Sequence, residues 1–273
     1  MRIGGLLAVA AAAAAGILGY EPRRADPLLE LRLFRSLPFS AAIVMALFAL
    51  CGFGAFLFTT TQYLQDVRGM AALTAGLCLL PVAAPVLILS PRTGRLVGVH
   101  GARLPLMVSG TALALGGGAS IWFRPAAPLP TVLAVYLVFG IFLATVNPPI
   151  TFVAVSGMPR SMAGVAASLA SAGRPTGTTL GVAISGTIVG SALGRPGAAF
   201  TSAEHGVWWM VLGLGVGILV LGLLSTGRRA MATASRAAAL FEEVDRGSRT
   251  ARLAPRAVRP SPAARNLSGA AHA

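Results

Sequence analysis

MAGVAASLASAGRPTGTTLGVAISGTIVGSAL, residues 162–193, is apolar enough to cross a bilayer, yet it carries Arg174 at its middle and Pro175 directly after it. No other arginine, and no acid, reads as lying so deep in an apolar run of this chain. A charge at mid-membrane costs about 2.5–3.5 kcal/mol on insertion scales, so it tends to face a polar interior or a partner. Pro175 removes a backbone donor and disfavours helix at Arg174. Gly173, Gly177 and Gly181 let a neighbouring backbone come close. The stretch predicts a broken or kinked membrane helix lining something wet. An arginine that snorkels, or pairs with carbonyls only to hold a bundle together, fits the same residues. The stretch leaves both readings open.

The rest of the chain is of the same kind. Of its 273 residues 55% are hydrophobic and only 11% charged, against about 25% charged in ordinary soluble domains. A membrane helix needs about 20 apolar residues. Such runs occur at 38–60, 74–90, 104–123, 131–155, 162–193 and 207–226, with a shorter one at 3–19. The third of these seven contains Pro81 and Pro85 if counted from the N-terminus, and the fifth is expected to break at Pro148 and Pro149. Short connections predict a compact bundle: a partial span at 1–19, a loop at 20–37, six helices over 38–226, and a basic tail at 227–273. The two cysteines, Cys51 and Cys78, lie inside spans and imply no disulfide framework.

The net charge of +14 comes from arginine alone, since the sequence has no lysine. Eleven arginines fall on one side of the alternating spans (23, 24, 32, 35, 92, 95, 103, 160, 228, 229, 236) and four on the other (2, 68, 124, 195). Arginine-rich short loops stay in the cytoplasm, so the N-terminus is expected outside and the C-terminus inside a bacterial plasma membrane. Trp122, Trp208 and Trp209 fall at the outer ends of their spans, where interfacial aromatics belong. Cleavage of 3–19 as a signal peptide would invert every later loop, against this charge bias. The tail offers an amphipathic stretch, then a proline- and arginine-rich stretch expected to be disordered. A solvated cytoplasmic tail accounts for it, and contact with anionic lipid is the functional alternative. Nucleic-acid binding has no supporting base-reading motif or stacking aromatic.

Several pieces then fall in a telling order: DPLLELRLFRSLPF at 26–39, QYLQDVRGMAALTAGLCLLP at 62–81, GRLVGVHGARLPLMVSG at 94–110, GIFLATVNPPITFVAV at 140–155, and ASLASAGRPTGTTLGVAI at 167–184. As an ordered set they resemble the C-terminal half of the major facilitator superfamily, in its fourteen-span drug:proton antiporter branch. The resemblance implies an all-α membrane protein: one six-helix half built as inverted three-helix repeats, plus one partial preceding helix. In the family's cytoplasmic loop motif, Gly94, Arg95, Leu96, Val97, His100, Gly101 and Arg103 match. Gly98 stands where the family has an aspartate, and Val99 where it has a basic residue, which puts the family's charge latch in doubt. Plain cytoplasmic anchoring is the preferred account of Arg95 and Arg103. In the opening stretch Arg174, Gly177 and Gly181 match, while Ser171 and Pro175 replace an asparagine and a glutamine.

By this resemblance, Arg174, Asn147, Phe53 and Gln62 are the candidate cavity or coupling residues. Pro175, Gly177, Gly181, Pro148 and Pro149 mark the expected helix breaks. Asn147 alternatively satisfies carbonyls freed by the prolines. Phe48, Phe53, Phe56 and Phe58 offer an apolar wall for a lipophilic drug, or simply pack. Implied partners are a drug-like small molecule, protons, the lipid bilayer, and a missing or separate N-terminal half.

Coupling to protons calls for an intramembrane carboxylate, and all eight acids read as lying in loops or the tail. In the family the coupling acids lie mainly in the N-terminal half. One half has nothing to rock against, so the chain is expected to be part of a transporter: truncated, split, or given a late start. The alternative is a membrane interaction subunit that transports nothing. A retinal receptor lacks its lysine. A membrane protease lacks a histidine in any span, and no metal-binding motif is present. No enzymatic activity, cofactor or metal is expected.

Overall fold

The structure, a computed structural model, describes residues 37–123, 127–156, 160–190 and 198–227. The expected partial span at 3–19, the loop before residue 37 and the tail lie outside the described residues. Seven helical elements are seen among the described ones. They are α1 (Leu37–Gln62), α2 (Ala72–Cys78), α3 (Leu80–His100), α4 (Arg103–Ser120), α5 (Leu129–Val155), α6 (Arg160–Gly190) and α7 (Ala198–Ser225). A π-helical turn, Tyr63–Val67, ends α1. Elements α2 and α3 act as one rod interrupted at Leu79. The described part is thus all-helical, with six rods.

Four of the rods are long and apolar enough to cross a membrane: Leu37–Val67, Ala72–His100, Leu129–Val155 and Ser202–Ser225. The other two are less apolar. Helix α4 has only 18 residues, beginning with Arg103, and α6 is diluted by glycine, serine, threonine and arginine.

Packing alternates in direction. Phe48 of α1 meets Gly217 of α7, while Leu37 and Ala41 sit beside Leu221 and Leu224, so these two helices are antiparallel. Leu106 of α4 meets Gly222 and Gly117 meets Leu212, which makes α4 and α7 antiparallel as well. In contrast, α1 and α6 run parallel, with Leu47 at Gly177, Cys51 at Gly181 and Phe58 at Gly186. The main helix pairs are α1·α6, α4·α7, α3·α5, α4·α5, α1·α7 and α1·α5. Exchanging the first three rods for the last three maps this set onto itself: α1·α6 becomes α5·α3, and α4·α5 becomes α7·α1. The two halves of the bundle therefore use the same packing scheme.

Glycine makes the three closest pairs possible. A Cβ on Gly177 would fall 2.7 Å from the Leu47 carbonyl oxygen, and one on Gly181 would fall onto the Cys51 carbonyl. On the α4–α7 seam a Cβ on Gly117 would lie 2.8 Å from the Leu212 nitrogen, and on the α3–α5 seam one on Gly140 would lie 2.5 Å from the Val82 oxygen. Lipid is as apolar as leucine, so close van der Waals contact between backbones must hold such helices together. The centre is aromatic: Phe56 stacks on Phe139 at 4.0 Å, and Tyr136 meets Phe56 edge-on at 5.4 Å.

Several expectations need correction. Pro148 and Pro149 do not break α5, and Pro175 does not break α6; both helices run through. A proline removes one donor, whereas a break in an apolar bundle would leave many backbone groups unpaired. The helix expected to stop at residue 90 continues through Pro91 to His100. Trp208 is buried within the bundle, and its ring lies 6.2 Å from that of Phe139. Trp122 and Trp209 are exposed. Among the remaining features, α3 leaves Leu87 and Ile88 uncovered.

Candidate functional site

Arg174 is half-buried on α6, and its Nη2 donates to Thr151 Oγ1 of α5 at 3.0 Å. Thr151 Oγ1 in turn donates to the Asn147 carbonyl at 3.2 Å. The fold thus joins Arg174, Asn147 and the Pro148-Pro149 turn of α5 through one threonine that sequence reasoning did not single out. Thr151 was legible only in retrospect, one helical turn after Asn147.

Arg174 lies nearer one end of the bundle than the sequence suggests. Gly177 packs at Leu47 on the parallel α1, so Arg174 is level with the second turn of that helix, about 10 Å from its start at 1.5 Å per residue. That end also carries the exposed Arg95 and Arg103. The two described acids, Asp66 and Glu204, are at the opposite end. A guanidinium at this depth can keep its head near the polar boundary, which explains why one threonine is enough to hold it.

Phe53 lies elsewhere. It lines an apolar groove of about 390 Å³ together with Leu57, Val82, Val86, Leu87 and Leu143. The other phenylalanines of α1 do not line the groove, although the Phe56 ring stacks on that of Phe53 at 6.3 Å. Phe48 faces Gly217, Phe56 is in the core against Phe139, and Phe58 faces Gly186. Gln62 is the half-buried last residue of α1, at the far end from Arg174. The candidate residues therefore occupy three places: a polar link, an apolar groove and a helix end.

The expected loop motif is mostly helix. Gly94 and Arg95 are exposed on the last turns of α3, and nothing would obstruct a Cβ at Gly94. Gly101 ends that helix at φ +83°, a conformation glycine adopts freely. Arg103 begins α4, exposed.

One buried group was missed altogether. Glu204, which the sequence reads as a loop residue, is wholly buried on the first turns of α7, with Trp208, Val211 and Ile218 on the same face. The spacing of four and seven residues was a readable helical signal. Nearby, at the end of α1, the Arg68 guanidinium lies 5.8 Å from the centre of the Tyr63 ring and donates to the Ala127 carbonyl at 2.8 Å. The Tyr63 ring also stacks on Phe123. Among the described residues no cluster of His, Cys, Asp or Glu could hold a metal.

A sequence model of the Major Facilitator Superfamily matches residues 3–182. The chain is 34% identical over 184 residues to the multidrug resistance protein Stp of Mycobacterium tuberculosis, covering 67% of this chain and 34% of that protein. It is 33% identical over 198 residues to the tetracenomycin C resistance and export protein of Streptomyces glaucescens, covering 71% and 36%. To the quinolone resistance protein NorB of Staphylococcus aureus it is 28% identical over 220 residues, covering 78% and 46%. The chain spans about a third to a half of the length of these curated relatives.

Proposed function

The chain belongs to the Major Facilitator Superfamily, a family of membrane transporters and not of enzymes, and from that premise we propose that it is the C-terminal six-helix half of a multidrug efflux antiporter. Its substrates are lipophilic or cationic compounds, and protons drive their export across a bacterial plasma membrane. It works against an N-terminal half, on the same polypeptide or a separate one. The observation that carries this reading is the exchange of three rods for three in the helix packing, which suits one of two domains that rock about a midplane site. The three relatives named above are resistance or export proteins by name, which supports drugs as the substrates.

Within that reading Arg174 anchors α6 to α5. Arg174→Ala in the complete transporter should reduce dye efflux from cells several-fold, and Thr151→Val should do so less, because Arg174 keeps its charge. A charge-assisted hydrogen bond is worth about 1.5–3 kcal/mol, enough to shift the balance between two access states. Wild-type efflux in Arg174→Ala would make the arginine purely structural.

The arginine count supports a cytoplasmic location for the end bearing His100 and Arg103. Cys51 and Cys78 are buried, so a new cysteine can be read against a low background. Val99→Cys, on an exposed turn of α3, should react with a membrane-impermeant maleimide only in opened cells. Labelling in intact cells would invert the topology.

A further inference from the structure

Two carboxyls occur among the described residues, and they sit differently. Asp66 is exposed on the π-helical turn, while Glu204 is 0% exposed. Neither carboxyl oxygen of Glu204 has a hydrogen-bond partner. Nη1 of Arg68 and Nε1 of Trp208 are also buried without one. All of these groups belong to the end of the bundle where α1 and α4 finish and α7 begins. A buried carboxylate with no partner is costly, and a neutral carboxylic acid is far less so.

The surrounding groups come from several elements. The Tyr63 phenol, at the end of α1, is within electrostatic reach of both Arg68 and Glu204. From α5 comes Tyr136, within reach of Glu204, Tyr63 and Cys78 of α2. His205 is next to Glu204 on α7. The arginines of α4 and α6, Arg103, Arg160 and Arg174, lie toward the opposite end. Arg68 is the arginine of this end among the described residues.

We propose that Glu204 is a proton-binding site of this bundle. The O–H bond of the neutral acid breaks and the proton passes to water at that end of the bundle. A role in driving efflux rests on the transport reading above; proton binding itself does not.

The test uses the chain reconstituted in vesicles of neutral lipid and a hydrophobic carbodiimide, which reacts with protonated carboxyls in apolar surroundings. Mass spectrometry should find the adduct on the peptide containing Glu204 at acidic pH. The adduct should decline as pH rises and be lost in Glu204→Gln. Absence of adduct at every pH, or labelling that ignores pH, overturns the proposal. The wild-type profile suffices should a variant fail to fold. Proton-driven dye efflux by the complete transporter is measured alongside. Labelling that follows pH without efflux refutes the transport reading and keeps the proton site; efflux with labelling that ignores pH does the reverse.

Discussion

Gly181→Val should dismantle the bundle. The first atom beyond Cα would fall onto the Cys51 carbonyl, and the Ala55 nitrogen lies 2.9 Å away. Both obstacles are backbone of α1, and neither can rotate aside. Forcing added carbons into a packed core costs about 1–3 kcal/mol where side chains can adjust; here whole helices must separate, so the loss should reach at least the upper end of that range. The α1–α6 pair is a principal contact of the fold, and the same seam carries Gly177 and Gly54. The variant should be recovered poorly from membranes and melt well below wild type in detergent. Gly173→Ala is the control. It lies on the same helix with nothing within 4 Å of its would-be Cβ, so the helix preference of alanine, up to about 1 kcal/mol, should leave it neutral or slightly more stable. Equal melting of Gly181→Val and wild type would mean that α1 and α6 do not pack in this way.

Much of this architecture was legible because membrane helices announce themselves by length. The rods near 38–60, 131–155 and 207–226 appear where long apolar runs required them. The family was legible from ordered local stretches, although each alone is weak. Helix ends were harder. Hydropathy marks where a chain leaves lipid, not where helix stops, so α3 was cut at residue 90 although its backbone bonds continue to His100. Prolines misled for a related reason. Pro148, Pro149 and Pro175 are local breakers by residue type, but the cost of unpaired backbone inside an apolar bundle outweighs one missing donor.

The polar groups show the same division. Arg174 was conspicuous because charge is rare in an apolar run. Its partner Thr151 was not, since threonine is common and only the α5–α6 packing selects it. Glu204 was set aside because it precedes the apolar run of its helix. A helical face drawn back from Trp208 and Val211 would have included it. Four phenylalanines spaced along α1 read as one wall, yet a helix turns about 100° per residue, and the fold gives them different neighbours.

The second large effect concerns activity. Transport by rocking requires two domains, with the site between them. The six rods described here close on one another through the α1·α6, α4·α7 and α3·α5 seams. The apolar groove at Phe53 and Leu143 is lined from a single bundle. On this account the bundle is one side of a pump and cannot alternate access by itself. Loss should therefore be complete, not partial, when no companion is present. Gly181→Val, by contrast, removes activity only by removing the fold.

Both consequences meet in one experiment. The purified chain is placed in liposomes, alone or together with an N-terminal half, and uptake of a fluorescent cationic drug is followed after a pH jump across the membrane. The account predicts drug movement with the companion and none without it. Movement driven by the pH gradient in liposomes containing this chain alone would contradict it.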